Sequence, residues 1–156
     1  MSTASSEFED FFRLVEPKVR TALSADFGFE LGHEATAEAM RYGWEHWARV
    51  SQLDNPAGYL FRVGQRLALR EKRRGSRRVV LRDRRDPNAD VPWVEPKLSA
   101  ALAVLTSRQR ISVVLVHGLG WTYPEVGELL SLAPTTVQSH AARGLSRLQR
   151  TLEVAS

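Results

Sequence analysis

Apolar residues recur along most of this chain at steps of three and four, the spacing of one face of an α-helix. Phe8, Phe12, Val15, Val19 and Leu23 set the first stripe, widened by Phe11 and Leu14. They predict a helix from Phe8 onward that Pro17 should kink or split. The segment 26–33, with Gly28 and Gly32, reads as a turn, followed by a second helix over 34–50 rich in Ala, Glu and Arg. Met40, Trp44 and Trp47 fall on one face of that helix and are expected in the core. Asp54-Asn55-Pro56 is a turn that starts a third helix, with Leu60, Val63 and Leu67 inward and an end near Leu69 or Arg70.

The period lapses between about 75 and 96, where Gly75-Ser76, Asp86-Pro87-Asn88, Pro92 and Pro96 mark a linker. Trp93 within it is placed to dock on a domain or on a partner. Beyond the linker, Leu102, Leu105, Ile111, Val114 and Leu115 form two amphipathic segments around Thr106-Ser107, a good helix cap. Thr122 precedes Glu125 by three, with Pro124 between, so a capping box opens a short helix that should run to about Ser131. Leu132-Ala133-Pro134 interrupts it, and Val137, Ala141, Leu145, Leu148 and Leu152 then trace a second stripe. The expected fold is therefore all-α: a three-helix domain over 1–74, a flexible linker over 75–96 and a four-helix domain over 97–156.

The last two predicted helices form a helix-turn-helix, whose second helix enters the DNA major groove. Opposite the apolar stripe of that helix lie Thr135, Ser139, Arg143, Ser146 and Arg150, with Thr136, His140 and Arg147 on one flank. An ordinary helical hairpin has the same apolar pattern, so the motif needs context.

Charge supplies some of it. Residues 1–61 carry ten acids and five bases, residues 62–85 carry eleven bases and two acids, and the remainder carries six of each. A basic block beside an acidic segment suits contact with a polyanion, the alternative being a solvated basic linker. The third helix presents Arg62, Gln65, Arg66, Arg70, Arg73 and Arg74 outward and has Tyr59 near its start. Guanidinium groups that track phosphates beside a ring that stacks on an unpaired base suit single-stranded or melting DNA.

At 43% hydrophobic the chain is not wholly disordered. The absence of cysteine excludes disulfides, thiolate zinc sites and a catalytic thiol. No metal site, cofactor motif, paired carboxylates, nucleophile with base or phosphate loop is present, so an enzyme is not expected. The most apolar run, 111–121, is too short to span a bilayer, and Glu7, Glu9 and Asp10 stand where a signal peptide needs bases. A cytoplasmic protein without membrane insertion is expected.

Taken together, the chain resembles a small alternative sigma factor of bacterial RNA polymerase, the extracytoplasmic-function type of the sigma-70 family. Ala37-Glu38-Ala39-Met40 through Trp44, Asn55-Pro56-Ala57-Gly58-Tyr59-Leu60 and Arg73-Arg74 are similar to that family's region 2. Leu105-Thr106-Ser107-Arg108-Gln109-Arg110, Gly120 through Val126, and Thr136-Val137-Gln138-Ser139 are similar to region 4. The resemblance implies a promoter-specificity factor that binds core RNA polymerase, at the clamp helices of the largest subunit and at the flap. It implies polymerase contact by Glu34, Glu38 and Arg41. It implies capture of the melted minus-10 element by Gln52, Asn55, Tyr59, Arg62, Gln65, Arg66, Arg70, Arg73 and Arg74. Reading of the minus-35 element falls to Thr135, Thr136, Gln138, Ser139, His140, Arg143 and Arg147. An anti-sigma factor is a further implied partner.

Some positions depart from the family's pattern. Glu34-Ala35-Thr36-Ala37-Glu38 replaces the usual Asp-Leu-x-Gln-Glu run, and Arg66 and Arg70 replace an Asn and an Asp. Gln138 and His140 stand where the reading helix usually carries bases. Tighter phosphate contact by the third helix and weaker duplex binding by the last one follow, hence an altered promoter preference. Two other functions fit parts of the pattern: a sigma-like protein that acts through protein contacts as a decoy, and a stand-alone helix-turn-helix regulator. The basic third helix argues against the second of these, because such a regulator needs no melting surface.

Overall fold

The computed structural model describes residues 3–79 and 96–155, and all regular structure among them is helical. The N-terminal domain consists of α1 (Thr3–Phe27), α2 (Phe29–Glu45), the single turn α3 (Trp47–Val50) and α4 (Pro56–Val79). The C-terminal domain consists of α5 (Pro96–Ala103), α6 (Ser107–Ser112), α7 (Tyr123–Leu130) and α8 (Pro134–Ala155). Between α6 and α7, Val113–Gly118 continues α6 as a π-helix.

The sequence stripes become the core. Val19, Leu23, Leu60 and Phe61 are almost completely buried where α1, α2 and α4 meet, each contributing about 2 kcal/mol through its apolar burial. A second cluster under α5 and α8 joins Ala101, Leu102, Leu105, Val113 and Leu148. The larger cluster does not stop at the domain boundary: Ile111, Leu115, Val126, Leu129 and Val137 belong to the same apolar body as Val15, Leu23 and Leu60. The two domains are thus packed on one another.

Four sequence expectations are corrected. Pro17 neither splits nor ends α1: the helix runs through it to Phe27, with Pro17 exposed on its surface. The turn over 26–33 shrinks to Gly28 alone, whose φ of 92° lets α1 and α2 follow each other with one residue between them. Met40 and Trp47 are buried as expected, but Trp44 is 48% exposed. The helix breaks at His46, yet Trp44 and Trp47 still meet the same ring, each with its centre 5.3 Å from that of Phe8, Trp44 at the rim and Trp47 beneath it. Finally, α4 runs on to Val79 rather than ending near Arg70. Trp93 and most of the expected linker lie outside the described residues.

Candidate nucleic-acid interface

The helix-turn-helix is built as its residues require. Thr122 Oγ1 accepts from the Glu125 backbone N–H at 3.2 Å, and Glu125 Oε1 accepts from the Thr122 N–H at 3.3 Å and its hydroxyl at 2.9 Å. These hydrogen bonds from Thr122 hold the Glu125 carboxyl below its ordinary value of 4.5. At the other end of α7 Ser131 adopts φ 58°, the left-handed conformation that stops a helix. The Leu132 N–H then donates to the Gly127 carbonyl at 2.8 Å. A Cβ on Gly127 would stand 2.5 Å from the Leu132 carbonyl oxygen, so only glycine permits a turn this tight.

Along α8, Val137, Ala141 and Leu148 are buried, while Thr135, Thr136, Gln138, Ser139 and Arg143 are exposed and His140 and Arg147 are half-buried at the edge. Five of the seven candidate upstream-reading residues are therefore open to solvent, with Gln138 and His140 on opposite flanks of the helix. Partial burial, helped by the positive charges of Arg108 and Arg143, holds the His140 imidazole below its ordinary value of 6.5. At neutral pH this position is a hydrogen-bonding ring rather than a cation.

The second face belongs to α4 and the loop before it. Arg66, Arg70, Arg73 and Arg74 flank Leu69 around an open groove of about 400 Å³. Next to it a groove of about 370 Å³ includes Gln65, Arg66 and Lys72. Tyr59 lies at the start of α4, its hydroxyl 3.3 Å from that of Tyr42. That hydrogen bond, with partial burial, raises the Tyr59 phenol above its ordinary value of 10.0. Tyr42 in turn stacks on His46 at 4.2 Å, accepts a hydrogen bond from Arg49 and lies under the Arg49 guanidinium. Gln52 is exposed in the loop.

Two candidates on this side are already engaged. Asn55 Oδ1 accepts from the Gly58 N–H at 3.0 Å, capping α4, and Asn55 Nδ2 donates to the Glu128 carbonyl of α7 at 2.6 Å. Arg62 Nη1 donates to Ser131 Oγ at 2.8 Å. Glu34, Glu38 and Arg41 are all exposed on α2, with Arg41 bonded to Glu45 at 3.2 Å and 3.8 Å from Glu38.

Sequence reasoning missed two groups of residues. Tyr42, His46 and Arg49 follow at steps of four and three, a signal that was available as a one-sided polar aromatic stripe. Asp26, Ser107 and Arg110 carried no such signal, because the contact that unites them spans more than eighty residues.

Residues 96–148 match the family model for sigma-70, region 4. No curated protein sequence matches the chain. Among solved structures, the chain is similar to the sigma factor RpoE of Bartonella quintana in its complex with the anti-sigma factor NepR. The identity is 20%, the TM-score is 0.61, and the match covers 96% of this chain and 99% of that one.

Proposed function

We propose that the chain is a sigma-70-family protein and acts as an alternative sigma factor of the extracytoplasmic-function type, a reading supported by the match of residues 96–148 to sigma-70 region 4 and by the similarity of its fold to that of a sigma factor. It binds core RNA polymerase, directs it to a subset of promoters and helps to open them. Sigma factors are transcription factors and supply no catalysis of their own. Among the described residues no helix is long and apolar enough to cross a membrane. The observation that carries the proposal is the presence of two separate polar or basic faces, on α8 and on α4, in a chain whose second domain matches region 4.

The division of labour follows from the chemistry of each face. The exposed end of α8 enters the major groove, where Gln138 is able to pair in two-pronged fashion with adenine and Arg143 with guanine or a phosphate. The α4 face takes the melted strand. Arg66, Arg70, Arg73 and Arg74 follow its phosphates, while Tyr59, Tyr42 and His46 offer rings for unstacked bases, each stack being worth about 1–3 kcal/mol. Glu34, Glu38 and Arg41, exposed on α2, contact the polymerase clamp.

Run-off transcription with purified core polymerase and a library of promoter fragments tests this. Specific transcripts that depend on added protein are expected, and their start sites reveal both promoter elements. Binding to core polymerase without any transcript would replace this reading with that of a decoy acting through protein contacts.

A further inference from the structure

The two grooves on α4 are built differently. The first is lined by α4 alone, as suits a strand lying along a helix. The second is a recess where the end of α1, the middle of α4 and the start of α6 meet. Its volume of about 370 Å³ is that of a small-molecule site, for which about 300–1,000 Å³ is usual. Arg66, Leu69 and Lys72 follow at steps of three along α4, which sets the two cations about 9 Å apart along the axis with the leucine between them. Among the described residues neither cation is paired with a carboxylate. The acid that lines the recess, Asp26, is already neutralised, since it accepts from Arg110 Nη1 at 2.8 Å and from the Ser107 hydroxyl at 2.6 Å. Arg66 and Lys72 therefore leave two positive charges uncompensated. Apolar surface comes from Leu69, 40% exposed, and from the nearly buried Phe27.

We propose that this recess is a binding site for a mononucleotide, a ligand with a phosphate monoester at one end and a flat, largely apolar ring at the other. At neutral pH a phosphate monoester carries a charge of about −2, which matches Arg66 and Lys72. The guanidinium grips two phosphate oxygens at once, and the ammonium acts as a point charge. The ring covers Leu69 and Phe27, and Gln65 supplies both donors and an acceptor for the polar edge of the base or the ribose. Neither half of the ligand satisfies the recess alone: inorganic phosphate leaves the apolar surface wet, and a nucleoside leaves the cations unpaired. A strand fits less well, because each of its phosphodiesters carries one negative charge and its chain must pass the walls formed by α1 and α6. Gln65 and Arg66 are also candidates for the melted strand, so an occupied recess competes with it. That consequence rests on the function proposed above; the site does not.

Equilibrium dialysis of the full-length protein against AMP, GMP, CMP or UMP tests the site, with the matching nucleosides and inorganic phosphate as the two halves of the ligand. At least one nucleotide is expected to bind, at one per chain and about tenfold or more tighter than either half. Lys72→Met keeps the aliphatic stem and removes the charge; it should weaken the nucleotide by about tenfold and leave the nucleoside unchanged. Leu69→Gln should bring the nucleotide toward the affinity of inorganic phosphate, which itself should not move. Both positions are exposed, so thermal unfolding should be unaltered in either variant. Arg73→Met, on α4 but outside the recess, should not change nucleotide binding. Inorganic phosphate binding as tightly as every nucleotide, or equal losses in Lys72→Met and Arg73→Met, would reduce the recess to a general attraction for anions and overturn the proposal. So would the failure of all four nucleotides to bind. The dialysis needs neither polymerase nor promoter, so failure in run-off transcription leaves its result standing, and the two readings fail separately.

Discussion

The two faces proposed for nucleic acid are presented in opposite ways. On α8 the apolar stripe is buried within its own domain, and the residues opposite it are open to solvent. On α4 the arginines from Arg66 onward are open, but the start of the helix is shared with α7 through Asn55 and Arg62. The difference has a physical origin. A face of Thr, Ser, Gln and Arg has little to gain from burial, whereas the start of α4 carries an Asn whose amide has spare donors after capping and sits beside an apolar body that crosses the domain boundary. The face proposed for duplex on α8 is open as the molecule stands, whereas two of the nine candidates on the face proposed for a single strand, Asn55 and Arg62, are already bonded to α7.

The sharpest way to break this comparison is at Arg110. Arg110→Ala leaves the buried Asp26 carboxylate without its counter-charge, with only the Ser107 hydroxyl, and strips four carbonyls of this donor. The expected cost is about 3–5 kcal/mol, read by urea unfolding of the full chain. Arg110→Lys should recover only part of it, because an ammonium has neither the planar fork nor five donors. Equal stability of all three proteins would mean that the domain contact does not form in solution.

How much of this was legible in the sequence differs by region for a related reason. The helix-turn-helix was readable almost to the residue, since Thr122, Glu125, Pro124 and Pro134 act on their own neighbours and local chemistry sets both helix starts. Within the N-terminal domain the stripes identified Val19, Leu23 and Leu60 as core, but not the break at His46 or the exposure of Trp44 at the rim of the aromatic cluster. Nor did they show that a single Gly28 suffices between α1 and α2, an outcome settled by packing. Of the α8 candidates, Thr135, Thr136, Gln138, Ser139 and Arg143 are open to solvent and His140 and Arg147 are half-buried. The α4 candidates divide between open and engaged, because Glu128 acts through its backbone carbonyl and no side-chain pattern announces such a partner.

A second test addresses the open part of α4. Arg66→Gln with Arg70→Gln removes two cations from the groove and should reduce the slope of log affinity against log salt for single-stranded DNA by about 1.4. Binding of duplex carrying the upstream element should keep its slope, and Arg143→Ala should do the reverse. Parallel losses on both ligands in either variant would mean that the two faces do not serve different forms of DNA. Open-complex formation on a transcribed promoter should also fall in the double variant, and unchanged transcript yield would remove these arginines from the melting surface.

The smallest effect expected concerns His140, the one titratable group on the α8 face with a shifted acidity. Burial and the cations Arg108 and Arg143 disfavour its imidazolium in the folded chain, so its folded value lies below the ordinary 6.5. The unfolded chain consequently binds the proton first as pH falls. Stability from this residue is full above 6.5 and is lost as pH drops from there through the folded value. Thermal unfolding between about pH 7.5 and about pH 5.5 should therefore show a shallower decline in His140→Gln than in the unsubstituted protein. Duplex DNA reverses the sign, since phosphates near the ring favour the imidazolium, and acidification through the same window should tighten binding only when His140 is present. His140 lies outside the α4 face, so single-strand binding should respond equally to pH in both proteins. If His140→Gln changes neither profile, the ring contributes to α8 as packing alone and not as a contact with DNA.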